Sequence, residues 1–276
     1  MKFKVPKTPA VQVTGKSFRL KDADPGATVP FAHKRPDKEA AQSRLLALRQ
    51  RLCELQELLY AEHRRSVLLV FQAMDTGGKD GLIENLLTGI NPAGVQVATF
   101  KAPSLEELNH DFLWRIHAQT PKRGHIGVFN RSHYEDVLIT RVHGLIDEKT
   151  CRQRYDAIND FEELLTRNGT VVLKFFLHIS KEEQAERLQA RLDDPAKTWK
   201  FDPNDLKERA HWDDYQAAYE AALRHCSPPA APWFVVPANH KWVRDLAISE
   251  IVVAALEAMN PQPPEADFDV KKMVIV

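Results

Sequence analysis

The most regular pattern in the chain is a series of leucines at helical spacing. Between Asp37 and about His63, leucines recur at steps of three and four residues among charged neighbours, at positions 45, 48, 52, 55 and 59. This spacing places them on one face and predicts a long amphipathic helix. The run SVLLVFQ (66–72) follows, continuously apolar. Such runs are typical of strands buried on both faces of a parallel sheet.

The same alternation of apolar runs and helical periodicity continues to residue 259. Four further strands are predicted, at VQVATF (95–100), HIGVFN (125–130), VVLKFFLHI (171–179) and WFVVP (233–237). Helical periodicity lies near residues 80–90, 104–118, 133–143, 150–167, 180–192, 204–226 and 241–259. Parallel strands need crossover connections, which are usually helical. The predicted fold is therefore α/β, with a five-stranded parallel sheet flanked by helices.

Three segments are predicted along the chain. Residues 1–36 are rich in Pro, Lys and Thr without a sustained period, and they are interpreted as an extended arm. Residues 37–260 contain every predicted strand and no long linker, so they are interpreted as a single domain. The Pro-rich break NPQPP (260–264) introduces a tail over residues 261–276.

Charge and hydropathy narrow the classes of function. The 276 residues include 38 basic and 38 acidic side chains, a balance that argues against a dedicated nucleic-acid binder. Residues 1–51 nevertheless carry twelve Lys or Arg against four acidic residues, so a local anion channel stays open. No apolar run reaches the roughly 18 residues needed to cross a bilayer, and the first ten residues, MKFKVPKTPA, lack the apolar stretch of a signal peptide. A cytoplasmic protein without a membrane partner is expected.

A glycine-rich turn follows the first predicted buried strand. AMDTGGKDG (73–81) leads directly into a helix, the arrangement in which backbone N–H groups and a lysine, here Lys79, bind phosphate. The turn departs from the GxxxxGK[ST] pattern because Ala73 replaces the first glycine and Asp80 replaces the Ser or Thr. Asp75 is a carboxylate that could hold a metal ion in place of that hydroxyl. The alternative is a turn without a ligand.

The second candidate segment is GVFNRSHYEDV (127–137), where an apolar strand runs into polar residues. Asn130 and Arg131 are expected opposite the glycine-rich turn, and the planar guanidinium suits phosphate. Glu135 and Asp136 are candidates for hydrogen bonds to a sugar or base. The alternative is a helix cap in which Ser132 and Glu135 form a capping box.

The third candidate segment is RLQARLDDPAKTWKFDPND (187–205). Arg187 and Arg191 are one helical turn apart and share a face. The following loop, which carries Lys197, Trp199 and Lys200, could close on an anionic substrate. The alternative is pairing of these arginines with acidic residues on an exposed helix.

These segments together resemble the polyphosphate kinase 2 family, over nearly all of residues 15–259. The matching segments are FQAMDTGGKDG (71–81), NPAGVQVATFKAPSLEELNHDFLWRIH (91–117), GHIGVFNRSHYEDVLITRVH (124–143), LKFFLHISKEEQAERLQARLDDPAKTWKF (173–201), WDDYQAAYEAAL (212–223) and APWFVVPANHKWVRDLAISEI (231–251). The resemblance implies a P-loop kinase fold similar to thymidylate kinase, with a helical lid near 187–205. It also implies phosphoryl transfer between inorganic polyphosphate and a nucleotide, with Mg²⁺ or alternatively Mn²⁺, in a homotetramer.

The resemblance also assigns roles to individual residues. Lys79, with the backbone of Gly78 and Gly81, is expected to hold the transferring phosphate, and Asp75 to bind the metal. Arg131 is expected to bridge donor and acceptor. The nucleotide side is expected to comprise Asp80, Lys101, Asn130, Tyr134, Glu135 and Asp136 in addition to the loop glycines. Arg187 and Arg191 are expected to contact polyphosphate together with Lys79 and Arg131.

Asn130 bears on the choice of nucleotide. Family members restricted to nucleoside diphosphates tend to have Asp at this strand end, whereas a neutral amide does not repel an additional phosphate. The pattern resembles the subgroup that accepts AMP and ADP and forms ADP and ATP. The alternatives are an ATP-dependent nucleoside monophosphate kinase, which would use the same architecture, and a non-catalytic polyanion-binding protein, suggested by the imperfect loop.

Overall fold

The computed structural model describes residues 3–31, 38–268 and 272–273, except for the side chain of Lys38. Its sheet has the strand order β1-β6-β5-β2-β4-β3. The strands are β1 (Val11–Gln12), β2 (Ser66–Ala73), β3 (Val95–Thr99), β4 (Ile126–Asn130), β5 (Thr170–His178) and β6 (Trp233–Pro237). The helices are α1 (Lys38–Glu62), α2 (Lys79–Leu86), α3 (Leu105–Leu108), α4 (Trp114–His117), α5 (Ile139–Val142), α6 (Glu148–Arg167), α7 (Lys181–Asp193), α8 (Pro203–Ala210), α9 (Trp212–His225) and α10 (Lys241–Met259).

The five predicted strands are all present and parallel, but the prediction of a five-stranded sheet was wrong. The sixth strand, β1, comes from the N-terminal arm and pairs antiparallel with β6, with Val11 opposite Val235. Beyond it, Val13 donates its N–H to the carbonyl of Trp233 and is buried. The arm thereby covers part of the backbone edge of β6, which unpaired would expose hydrogen-bonding groups. Two residues are too few to produce a recognisable alternation in the sequence.

Three of the predicted helices are interrupted in the structure. Residues 104–118 form the short helices α3 and α4, and residues 204–226 form α8 and α9. Residues 133–143 form a 3-10 helix (His133–Val137) followed by α5. Between α3 and α4, the carboxylate of Asp111 accepts the N–H of Leu113 at 2.9 Å. Such local side-chain bonds compete with continuous helix.

Helices cover both faces of the sheet. On one side α10 packs against α1 and α2, and a second set, α5, α6 and α9, packs around the 3-10 helix after β4. Strands β2 and β4 are buried throughout, which is the reason that their sequences are continuously apolar. Among the described residues, no helix is both long and apolar enough to span a bilayer.

The strand order locates the crevice for a ligand. From β2 the chain crosses to β3 on one side, whereas β5 lies on the other side of β2. Open α/β sheets bind ligands at such a switch point, beyond the carboxyl ends of the strands. The glycine-rich turn leaves β2 at this edge, and Asn130 ends β4 beside it.

Candidate functional site

The glycine-rich turn connects β2 to α2 through left-handed backbone conformations. Thr76 has a φ of 60°, and Gly78, the residue before the first turn of α2, has a φ of 90°. Gly77 lies so close to Ala73 that a Cβ atom on Gly77 would come within 2.5 Å of the Cβ atom of Ala73. The alanine at the first position of the loop is therefore accommodated by a glycine at position 77.

Lys79 begins α2 and folds back over the turn. Its Nζ donates to the carbonyl of Ala73 at 3.1 Å. Burial lowers the pKa of this ammonium, and the positive charge of Arg131 lowers it further, while Asp75, Glu135 and Asp80 oppose the shift. These influences show that the predicted lysine, arginine and carboxylates are brought together at one place.

Two arginines hold the carbonyl groups of the turn from the protein side. Nη1 of Arg187 donates to the carbonyl of Thr76 at 3.1 Å, and Nη1 of Arg244 donates to the carbonyl of Gly78 at 3.0 Å. Arg187 also pairs with Glu183 at 2.7 Å, as the alternative interpretation of its helix required. In this structure the guanidinium of Arg187 is occupied by protein partners. Its contact with a polyanion therefore stays a prediction. Arg244 was not anticipated.

Asn130 and Arg131 approach the turn from the end of β4. The amide Nδ2 of Asn130 donates to Oδ1 of Asp80 at 2.6 Å, and Nη2 of Arg131 lies 3.1 Å from Oδ1 of Asp75. Arg131 has a φ of 62°, and its N–H donates to the carbonyl of Phe71. The sharp turn at Arg131 directs the chain out of the sheet at the point where its side chain meets Asp75.

A cavity of about 200 Å³ opens beside these residues. Its lining combines the predicted Asp75, Arg131 and Glu135 with residues from the lid segment and α9. The lining residues are Ala73, Met74, Asp75, Arg131, Glu135, Leu138, Ile139, Asp202, Asn204, Asp205, Glu208, Tyr215 and Tyr219. Lys79 lies behind this wall, on the carbonyl of Ala73.

The acidic residues of the lid were missed from the sequence. Burial raises the pKa of Asp205 to about 6, and the negative charge of Asp75 contributes. Arg191 donates to Oδ2 of Asp205 at 3.3 Å and to the carbonyl of Lys200 at 2.8 Å, so it ties α7 to the start of α8. Nothing in the local sequence distinguishes Asp205 from a solvated acid, because its neighbour Asp75 is 130 positions away.

Tyr134 is not brought to the cavity. Its side chain is completely buried, and its hydroxyl donates to Oε1 of Glu162 at 2.8 Å. Nζ of Lys174 donates both to this hydroxyl and to Glu162, and His133 completes the buried cluster. The alternative interpretation of a helix cap is confirmed for Ser132, which caps the 3-10 helix by accepting the N–H of Tyr134 rather than that of Glu135. In contrast, the side chain of Glu135 reaches the cavity, and burial raises its pKa.

Asp136 and Lys101 belong to a separate polar group near the ends of β3 and β4. The carboxylate of Asp136 lies between Arg115, at 3.9 Å, and Arg154, at 3.7 Å. Nη1 of Arg115 donates to the carbonyl of Lys101 at 2.8 Å. Oδ2 of Asp136 is buried without a hydrogen bond. The two arginines were not predicted, and they form a second cationic location beyond the carboxyl edge of the sheet.

The Asp136→Asn variant is expected to become more stable relative to the wild type as the pH rises. Burial raises the pKa of Asp136 from 3.8 to about 6. A raised pKa means that the folded state binds the proton more tightly than the unfolded state does. Protonation of Asp136 therefore stabilises the folded wild type below pH 3.8, and this stabilisation is lost as the pH rises through about 6. The asparagine does not titrate. The difference in unfolding free energy between Asp136→Asn and the wild type should therefore change with pH by up to about 3 kcal/mol. Urea unfolding of both proteins between about pH 4 and pH 7.5 measures it, and a constant difference contradicts the expectation.

The oxygen donors of the cavity fit a hard divalent cation whose coordination shell is completed by water and a ligand. Among the residues that the structure describes, no three His, Cys, Asp or Glu side chains form a ready-made metal cluster. Asp75 and Asp205 both line the cavity, and the charge of one raises the pKa of the other. Mg²⁺ is usually held by one or two carboxylates with waters and phosphate oxygens rather than by an all-protein cage. A cation is therefore compatible with these two carboxylates.

The arrangement is suited to bind and orient phosphate groups. The first N–H groups of a helix are free of intrahelical partners, and those of α2 begin at Lys79, with the Lys79 ammonium and Arg131 nearby. The aligned peptide dipoles add positive potential at this end of the helix. A strand, a glycine-rich turn and a helix with a basic side chain form the phosphate site of P-loop proteins.

Comparison with known proteins agrees with this geometry. Residues 35–264 match the family described as polyphosphate kinase 2. The chain is 50% identical over 265 residues to the AMP/ADP-polyphosphate phosphotransferase of Meiothermus ruber, covering 96% of this chain and 98% of that protein. It is 49% identical over 228 residues to the ADP-polyphosphate phosphotransferase of Rhodopseudomonas palustris, covering 78% and 79% of the two chains.

A solved structure extends the match to three dimensions. The crystal structure of polyphosphate kinase 2 from Arthrobacter aurescens TC1 superposes with a TM-score of 0.92 at 47% sequence identity, covering 98% of this chain and 96% of that one. The sequence matches and the superposition both extend well beyond the glycine-rich turn. This chain belongs to the polyphosphate kinase 2 family.

Proposed function

We propose that this protein transfers a phosphoryl group from inorganic polyphosphate to AMP and to ADP, forming ADP and ATP. The observation that carries the proposal is the convergence of Lys79, Arg131 and Asp75 at the carboxyl edge of β2 and β4. The relative from Meiothermus ruber, whose name states both nucleotides, supports the choice of acceptor.

The role proposed for each residue follows from its position in the site. Lys79 and the first amides of α2 hold the phosphoryl group that is transferred, and Gly78 and Gly81 keep the backbone free of side chains there. Arg131, which is 39% exposed beside the cavity, lies between donor and acceptor. Asn130, Asp80 and Glu135, and the outer group containing Lys101 and Asp136, form the nucleotide side. Arg191 and Arg187 form the polyphosphate side with the lid.

The reaction needs no protein nucleophile. An oxygen of the terminal nucleotide phosphate forms a bond to the terminal phosphorus of polyphosphate, while the bond from that phosphorus to the bridging oxygen breaks. Phosphoryl transfer passes through a loose transition state with negative charge on the equatorial oxygens. Positioning and fixed positive charge therefore supply most of the catalysis.

A divalent cation, which we propose to be Mg²⁺ with Mn²⁺ as an alternative, would be held by Asp75 together with Asp205. Its contribution is to neutralise phosphate charge in a site that is otherwise rich in carboxylates. Asp202 of the lid and Glu208 of α8 line the same cavity. Without a cation, these acidic side chains would repel a polyphosphate chain. With a cation bound, their negative charges would balance the positive charge of the cation.

The identity of Asn130 supports the use of AMP as well as ADP. Its amide is neutral and is held by Asp80 at 2.6 Å, so the end of β4 presents no additional negative charge to an approaching phosphate. A carboxylate at this position would add a second negative charge beside Asp80.

The decisive experiment supplies AMP with polyphosphate and Mg²⁺ in the absence of ATP. We expect ADP to appear first and ATP to follow, measured by chromatographic separation of the nucleotides. Phosphorylation of ADP without phosphorylation of AMP would contradict the proposed acceptor range. Transfer to AMP only when ATP is the donor would identify a nucleoside monophosphate kinase, and tight polyphosphate binding without turnover would identify a binding protein.

Three further properties are proposed from the family resemblance and the composition. These are a cytoplasmic location, assembly into a homotetramer and the absence of nucleic acid among the partners. The balanced charge of the chain supports the last of them. Sedimentation velocity of the purified protein tests the assembly.

A further inference from the structure

Arg244 is a buried arginine on α10 that lies behind the glycine-rich turn. Only 2% of its surface is exposed. Its Nε donates to Oδ1 of Asp245 at 2.7 Å, its Nη2 lies 2.6 Å from the same oxygen, and its Nη1 donates to the carbonyl of Gly78 at 3.0 Å. Asn85 of α2 donates to the other oxygen of Asp245 at 3.1 Å. The arginine is thus oriented by the carboxylate and bound to a single backbone carbonyl of the turn.

That carbonyl belongs to the peptide that joins Gly78 to Lys79. In a trans peptide the C=O and N–H groups point in opposite directions. This carbonyl accepts Nη1 of Arg244 and also the N–H of Leu82 at 3.1 Å, the first hydrogen bond of α2. Since these two donors hold the C=O, the N–H of Lys79 points away from them. This N–H is the first of α2 and has no intrahelical partner. It is therefore available to a phosphate oxygen.

The neighbouring contacts leave little freedom for this peptide. Gly78 has a φ of 90°, and a Cβ atom at Gly78 would overlap with Nη1 of Arg244. The N–H of Gly77 is already used by the carbonyl of Met74 at 3.0 Å. Arg187 therefore binds the Thr76–Gly77 peptide, whose N–H is already used. Arg244 binds the Gly78–Lys79 peptide, whose N–H is free.

We propose that Arg244, oriented by Asp245, is a positioning residue that fixes the Gly78–Lys79 peptide so that the N–H of Lys79 faces the transferring phosphate. The role rests on the proposed function, because it assumes that polyphosphate is the ligand of this turn. An arginine is required because its planar fork donates to Asp245 and Gly78 simultaneously, whereas a lysine offers one compact ammonium. Arg244 does not touch substrate.

The test compares Arg244→Lys with a control at the other end of α10. Arg65 donates from Nη1 to the carbonyl of Met259 at 2.7 Å and pairs with Glu62, so Arg65→Lys makes the same exchange far from the turn. For Arg244→Lys we expect the KM for polyphosphate to rise and kcat/KM to fall about 10- to 100-fold, the scale of one hydrogen bond to a charged group. The KM for AMP should stay within about twofold of the wild type, a split that general destabilisation does not produce. Arg65→Lys should change none of these constants.

A second readout does not depend on turnover. Tripolyphosphate should raise the thermal unfolding midpoint of the wild type and of Arg65→Lys, and should raise that of Arg244→Lys less at the same concentration. The double variant Arg244→Met/Asp245→Asn removes both charges together and so avoids an unpaired buried carboxylate. It should show the same selective loss of tripolyphosphate binding.

The outcomes separate the two proposals. Wild-type polyphosphate constants and tripolyphosphate stabilisation in Arg244→Lys would overturn the positioning role, as would an equal loss in Arg65→Lys. A wild-type protein that is stabilised by tripolyphosphate but transfers no phosphoryl group would contradict the proposed function. In that case the stabilisation of the variants would still decide the role of Arg244.

Discussion

Replacing Lys79 with alanine is expected to lower the rate of phosphoryl transfer by about 10²- to 10⁴-fold, the scale of losing one electrostatic stabiliser of a developing anion. The ammonium is buried beside Arg131 and the acids of the site, so water cannot replace its charge effectively. Steady-state rates with saturating AMP and polyphosphate measure the effect.

One control variant and one stability measurement complete the Lys79 experiment. Lys149, an exposed lysine in the first turn of α6, provides the control Lys149→Ala, which should keep the wild-type rate. Thermal unfolding of Lys79→Ala should remain cooperative, because the lysine bonds to a single loop carbonyl. A loss smaller than about tenfold would contradict the assigned role of the loop lysine.

Arg131→Ala is expected to lower kcat by about 10²- to 10³-fold. The guanidinium lies 3.1 Å from Asp75 and is the cation at the end of β4 that lines the cavity. Its removal takes away a positive charge that acts on both Asp75 and Glu135, so the phosphates of donor and acceptor should meet uncompensated negative charge. Rates with AMP and with ADP, each with polyphosphate, measure the loss.

The form of the arginine side chain is tested separately. Arg131→Lys keeps the charge but not the planar fork, so it should recover only part of the rate lost by Arg131→Ala. Arg167, an exposed residue of α6 that pairs with Glu163, provides the control Arg167→Ala. An Arg131→Ala variant that keeps more than about a tenth of the wild-type rate would exclude a bridging role.

The segment after β4 places buried residues next to a residue that lines the cavity. Tyr134 and His133 point into the buried cluster with Glu162 and Lys174, and Glu135 points into the cavity. The chain turns as a 3-10 helix at this point, so neighbouring side chains diverge in direction. A motif can therefore match a family along its whole length although only some of its residues lie where a substrate could bind.

The lid segment illustrates a different limit. The four-residue spacing of Arg187 and Arg191 correctly placed both on one helix, and it also allowed the pair that Arg187 forms with Glu183 on α7. The remaining partners of the two arginines lie on other elements. Arg187 donates to the turn, and Arg191 donates to the carboxylate of Asp205. These partners determine whether a guanidinium supports the backbone or faces a ligand, and spacing along one helix contains no information about them.

The sequence by itself determined the five parallel strands, the glycine-rich turn before α2 and the grouping of Lys79, Asp75 and Arg131 beside it. These features follow from local causes, namely continuous apolar runs, glycines before a helix and polar residues at strand ends. The antiparallel strand β1, the acidic wall contributed by the lid and the support of Gly78 by Arg244 were decided only by the tertiary structure. The last contact joins residues 166 positions apart, and such pairings depend on how α10 packs against α2 rather than on any pattern within either segment.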